Sequence, residues 1–149
     1  MTMNSPHSSG FTLLELILII TLIGILAAVA LPKIDLATYR DDTEANLLLS
    51  HLRYAQHRSM VTGGGWNITF GTDSYSLADE NDTAQDFPGL GSTVEVTAIT
   101  SSRAVLYFDS LGTPDDDAFS NNTNNVTTLT TITIGGQTFT VEPYSGGIL

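Results

Sequence analysis

No cysteine occurs among the 149 residues, which excludes disulfides, thiolate metal centres and cysteine nucleophiles. Positive charge is also scarce. Five Lys and Arg stand against 16 Asp and Glu, for a formal net charge of −11. Nucleic-acid binding needs clustered cations, so no nucleic-acid partner is expected, and docking on anionic lipid by charge is disfavoured too. The surplus of acid reads as a self-repelling, water-facing surface. Catalytic signatures are missing as well: there is no G-x-S-x-G, no phosphate loop and no HExxH. Serine and aspartate are abundant, but no Ser/His/Asp set has a defensible spacing. The chain is therefore expected not to be an enzyme, and it is assigned no cofactor and no metal.

What is present is unevenly distributed. The length suits one ordinary domain. The polar stretch 1–10, MTMNSPHSSG, precedes the run FTLLELILIITLIGILAAVAL at 11–31, whose one charge is Glu15. As a helix these 21 residues rise roughly 31 Å, about the hydrocarbon thickness of a bilayer. Three readings meet here: a plain anchor, a secretory signal peptide, or a leader followed by an assembly helix. Ala28-Val29-Ala30 fits the small-x-small cleavage pattern of a signal peptide, but the stretch before the run has no Lys or Arg and Glu15 interrupts its start. A carboxylate there costs roughly 2.5–3.5 kcal/mol at the bilayer centre and less near the interface. It is either tolerated at headgroup depth or awaits a cationic partner. Cleavage after Gly10 would create one, the α-amino group of Phe11.

The run Gly10-Phe11-Thr12-Leu13-Leu14-Glu15, followed by the apolar stretch, resembles the prepilin signal of type IV pilins and type II secretion pseudopilins. Gly24 and Pro32 also stand where that family commonly has Gly and Pro. The resemblance implies cleavage after Gly10 by a prepilin peptidase, methylation of the new terminus at Phe11, and a role for Glu15 in assembly with other pilin or pseudopilin subunits. It also implies a single-pass inner-membrane precursor with its C-terminal domain in the periplasm, later part of a pilus or pseudopilus. The leader has no basic residue, so the orientation follows from the resemblance and not from charge.

Residues 33–63 continue as an amphipathic helix with the stripe Ala45, Leu48, Leu49, Leu52 and Ala55. Pro32 is expected to kink a helix running from about Phe11 to about Thr62, and Gly63-Gly64-Gly65 to end it. His51 and His57 are six apart, do not share a helical face, and are expected to be solvated. From Trp66 the period becomes two. Three hairpins are expected: Asn67–Phe70 with Tyr75–Ala78, Thr93–Ile99 with Arg103–Asp109, and Thr128–Ile134 with Gln137–Glu142. The Gly135-Gly136 link of the third suits a type I′ turn. Val94, Val96, Ile99, Val105, Tyr107, Ile132, Ile134, Phe139 and Val141 are the expected core face. Residues 79–91 and 113–127 read as loops. In the second, Asp115-Asp116-Asp117 offers oxygens to a hard cation but lacks the alternating spacing of a known calcium loop, so a solvated acidic turn is expected.

The expected fold is α+β and pilin-like, a long N-terminal helix on an antiparallel sheet. It divides into leader 1–10, membrane and assembly helix 11–32, helical continuation 33–63 and periplasmic β domain 64–149. Leu52-Arg53-Tyr54-Ala55-Gln56 and Tyr107-Phe108-Asp109-Ser110-Leu111-Gly112 resemble minor subunits, namely the H-type pseudopilin and minor pilins of mannose-sensitive haemagglutinin type. The alternative is a membrane-tethered or secreted β domain that binds a ligand and does not polymerise.

Overall fold

The computed structural model describes residues 11–30, 36–117 and 126–149. They fall into two compact units divided between Leu36 and Ala37. In the first, helix α1 runs over Leu13–Ala30, a stretch with no proline and a single glycine, Gly24. The expected break at Pro32 and the junction around it lie outside the described residues.

The second unit carries all but the first residue of helix α2, Leu36–Thr62, and, among the described residues, eight strands. The expected triglycine stop is borne out: Gly63, Gly64 and Gly65 all have positive φ, and the amides of Gly63 and Gly64 both return to the Ser59 carbonyl. Ala45, Leu48, Leu52 and Ala55 are buried as the stripe requires, while Leu49 is half-buried. Strands β1 (Asn67–Phe70), β2 (Ser74–Ala78), β3 (Thr93–Glu95), β5 (Val105–Phe108) and β6 (Pro114–Asp115) form one antiparallel sheet in the order β3-β2-β1-β5-β6. Strands β4 (Ile99–Ser101), β7 (Thr130–Ile134) and β8 (Gln137–Val141) form a second, in the order β4-β7-β8. Both sheets give side chains to one core with α2: Ile68, Leu77, Leu106 and Phe108 from the first, Ile99, Ile132, Ile134 and Val141 from the second. The fold is α+β, a helix packed on antiparallel sheets.

The first and third expected hairpins form. Asn67 to Phe70 pair with Ala78 to Tyr75, and Thr130 to Ile134 pair with Val141 to Gln137. Gly135 and Gly136 both take positive φ at the turn. The second hairpin does not form. Thr93–Glu95 pairs with β2, Ile99–Ser101 with β7, and Val105–Phe108 with β1 and β6. The stretch 93–99 divides because Thr97 is held by α2: its amide and its hydroxyl each donate to the Glu44 carboxylate at 3.0 Å. The chain thus passes from one sheet to the other at Thr97–Ala98. On β5 the expected core face is inverted. Leu106 and Phe108 are buried, and Val105 and Tyr107 are half-buried on the outer side. The cause is the ladder to β1, which sets Leu106 opposite the buried Ile68. Phe139 is also half-buried and packs at the edge of the core.

Candidate functional site

The expected functional residues cluster at the start of α1. Thr12 precedes the helix, and its hydroxyl accepts the Glu15 amide at 3.2 Å while its carbonyl accepts the Leu16 amide. Thr12-x-x-Glu15 is thus a capping sequence, with Thr12 at the N-cap and Glu15 at the third helical position. This role of Thr12 is not among the expectations above, although the S/T-x-x-E pattern carries it in the sequence. Glu15, a negative charge in the first turn, also complements the helix dipole. Its carboxylate has no hydrogen-bond or ion-pair partner among the described residues. Gly10, the expected cleavage residue, and Pro32 lie outside the described residues. Phe11 is 78% exposed.

Every residue from Phe11 to Ala28 is exposed. Twelve of them are large and apolar, from Phe11 to Leu26. They surround the helix on all sides, unlike the single stripe of α2. Burying one such side chain is worth about 1.5–3 kcal/mol, so a strong drive to bury this surface is stored in α1. Gly24 leaves a gap in it: a Cβ there would meet nothing within 4 Å. A small residue at such a place lets another helix approach closely.

Elsewhere the residues that invite chemistry turn out differently. His57 is exposed as expected, but His51 is buried, which corrects the expectation of a solvated ring. It lies three residues after Leu48 and four before Ala55, on the apolar stripe itself. Its Nδ1 is 2.8 Å from the Tyr75 hydroxyl, and its ring stacks on Phe87 with centroids 4.0 Å apart. Burial pushes its pKa below the usual histidine value. The ring is a satisfied core group, and no second histidine faces it among the described residues. Asp115 departs from the solvated acidic turn as well: it is buried in β6, and burial pushes its carboxyl pKa up. Asp116 is exposed and Asp117 half-buried.

The two fragments noted on α2 and after β5 meet in space. Asp109 is buried, and its carboxylate accepts the Leu111 and Thr113 amides and the Thr113 hydroxyl. That fixes the turn carrying Gly112, whose carbonyl accepts from Gln56 of α2. The same amide nitrogen reaches the Gly146 carbonyl, so the C-terminal turn joins the hub.

Among the described residues no helix is long and apolar enough to cross a membrane. The apolar sequence at 11–31 extends beyond α1 at both ends. No curated protein and no solved structure matches the chain. A family model described as the prokaryotic N-terminal methylation motif does match, over residues 5–31, and thereby covers Gly10, Phe11, Thr12, Glu15 and the whole of α1. The N-terminal segment of this chain is a prepilin-type signal of the type IV pilin kind.

Proposed function

We propose that the chain is a structural subunit, a minor pilin or pseudopilin, of a type IV pilus or type II secretion pseudopilus. A prepilin peptidase cuts after Gly10, and the new terminus at Phe11 is methylated. The precursor sits in the bacterial inner membrane through residues 11–32, with the sheet domain in the periplasm. On assembly the helix passes from lipid into a bundle of other subunits' helices. The methylation-motif match over residues 5–31 carries this reading. The all-round apolar surface of α1 supports it, because that surface needs either lipid or neighbouring helices to cover it. Glu15 supports it too, as a carboxylate with no partner among the described residues that would pair with the α-amino group of a neighbouring Phe11. The hub of Gln56, Gly112 and Gly146 holds together the two fragments that resemble minor subunits.

The test is the intact mass and N-terminal sequence of the protein coexpressed with a prepilin peptidase. The expected product begins at Phe11 and is heavier by one methyl group. A terminus at Leu31 would mean a secreted domain, and the assembly role would be abandoned. An uncut chain would leave a plain anchor.

A further inference from the structure

The outward face of the five-stranded sheet carries a groove of about 430 Å³, all of it within the second unit. Ile68, Leu77 and Leu106 turn into the core, so their neighbours along each strand turn outward. The registers set these in two rows across the strands. Thr93, Ser76, Thr69 and Val105 form one row, and Ala78, Asn67 and Tyr107 the other. The loop after β2 walls the groove. It is held to β2 by the Ala78–Ala84 bridge and by the Gln85 amide on the Leu77 carbonyl, and it brings Asp82 to the rim.

Asn67 lines this groove and is only 1% exposed, yet its side chain is poorly satisfied. Its Nδ2 donates to the Asp79 carbonyl and to Asp82 Oδ1, both at 3.4 Å, beyond the usual range of about 2.7–3.2 Å. Both partners are acceptors, so the amide NH2 must face them. That leaves Oδ1 with no hydrogen-bond partner among the described residues. A buried acceptor in this state carries a desolvation cost that a donor from outside would relieve. The rest of the lining asks for the same chemistry. The Asp82 carboxylate only accepts, and the hydroxyls of Thr69, Ser76 and Thr93 can accept. No Lys or Arg among the described residues lines the groove. Burial pushes the Tyr107 phenol up, and the charges of Asp82 and Asp117 push it further, so this wall stands in a negative field.

A ligand suited to such a place is positive, rich in donors and without acceptors. A guanidinium group is all three. Its plane matches a carboxylate and the face of a tyrosine ring, while Val105 and Ala84 offer apolar surface to the methylene stem behind it. We propose that the groove binds an arginine side chain of a partner polypeptide, with Asp82 and Asn67 Oδ1 as its acceptors and Tyr107 as its wall. Arginine within a chain fits better than the free amino acid, whose α-carboxylate is repelled by Asp82.

The experiment titrates the ¹⁵N-labelled full chain in mild detergent with acetyl-Gly-Arg-Gly-amide and follows the amide shifts. A Kd on the order of 1 mM suits a single anchored side chain, with the largest shifts at 67–69, 76–78 and 105–107. The citrulline counterpart has the same shape without the charge. It binds about tenfold more weakly, because charged donors make hydrogen bonds roughly twice as strong. Asp82→Asn, on the exposed loop, weakens arginine binding about fivefold, whereas Glu142→Gln, beside the end of β8, removes the same charge and leaves it within about twofold. Equal binding of the two peptides overturns the proposal. So does an equal loss in the two variants, which is diffuse attraction to an acidic surface. Free arginine binding as tightly as the peptide would make the groove a small-molecule site, and a neutral disaccharide shifting these amides where the arginine peptide does not would make it a sugar site; either overturns the assignment. The comparison of arginine with citrulline on the wild-type chain decides even where a variant is too unstable to study.

Discussion

Gln56 donates to the Gly112 carbonyl at 2.6 Å and so ties α2 to the turn that follows β5. The same Nε2 donates to Gly146 at 3.0 Å, so one side chain satisfies two turns. Removing it strands two partly buried carbonyls, and Gln56→Ala should lower stability by about 1–3 kcal/mol. Gly146→Ala should cost more. Its φ is +64°, and an added Cβ would run into the Gly112 backbone oxygen. Urea unfolding of the full chain in mild detergent, followed by the fluorescence of Trp66, measures both. A Gln56→Ala change within about 0.5 kcal/mol of the wild type would remove the hub from the account of this fold.

The N-terminal unit and the order of elements were legible because they rest on local signals. An unbroken apolar run needs no partner to be recognised, and three consecutive glycines stop a helix wherever it packs. The Gly135-Gly136 hairpin belongs to the same class. What failed depended on long-range partners. Thr93–Ile99 reads as one alternating strand until Glu44, some fifty positions earlier, takes hold of Thr97 and divides it. In Val105-Leu106-Tyr107-Phe108 both faces are apolar, so alternation cannot choose between them; the pairing of Leu106 with Ile68 does. His51 was judged by its distance from His57, when its distances from Leu48 and Ala55 placed it on the buried stripe. At the candidate site, Glu15 was legible as an isolated charge, but the Thr12 cap beside it was passed over.

The buried ring of His51 makes stability depend on pH. Burial lowers its folded pKa below the ordinary 6.5, so below that pH the unfolded chain binds the extra proton. Stability from this group is complete above about pH 6.5 and is lost as pH falls through the lower folded value. Glu44 adds to the loss on the acid side. Burial pushes its carboxyl up, but the Thr97 amide, Arg40 and the Thr97 hydroxyl outweigh that and hold it below its ordinary 4.5. Tyr75 acts at the other end: burial and the nearby Glu44 charge push its phenol above the ordinary 10.0, so its contribution is lost as pH rises beyond that. Unfolding free energy should therefore be flat between about pH 6.5 and 10 and fall on either side. His51→Phe, which keeps the stack on Phe87, should flatten the first part of the acid limb, above the range of Glu44. An unchanged limb between pH 6.5 and 5 would show that the ring protonates without cost.

The face of β5 makes a sharp comparison, because its four residues give opposite expectations by position alone. Phe108→Ala and Leu106→Ala should each cost about 2–5 kcal/mol, since both side chains are fully buried and leave cavities against β1 and α2. Val105→Ala, on the half-buried outer side, should cost under about 1.5 kcal/mol. Denaturant midpoints at unchanged m-value report the order. Were Val105→Ala the more costly change, the strand would be packed in the opposite register, and the pairing of Leu106 with Ile68 would be wrong.

Glu15 allows assembly to be separated from folding. Its amide is used by the Thr12 cap, but its carboxylate is used by nothing among the described residues. Glu15→Ala should therefore leave the Tm of the sheet domain and cleavage after Gly10 unchanged, and reduce recovered fibre at least tenfold. Glu15→Gln keeps the shape and hydrogen-bonding capacity while removing the charge. If the side chain pairs with a neighbour's α-amino group, the glutamine fails almost as badly as alanine, because the amine needs a charged partner in an apolar bundle. If the side chain only fills space or accepts a neutral hydrogen bond, glutamine assembles. Thr12→Val serves as the control for helix integrity: it removes the cap at about 1 kcal/mol and should leave fibre yield within twofold of the wild type. The measurement is the amount of sheared fibre per processed subunit, with the mass of the subunit reporting cleavage and methylation in the same sample. Wild-type yield from Glu15→Ala would mean that the carboxylate merely sits at headgroup depth, and assembly would then rest on the apolar surface of α1 alone.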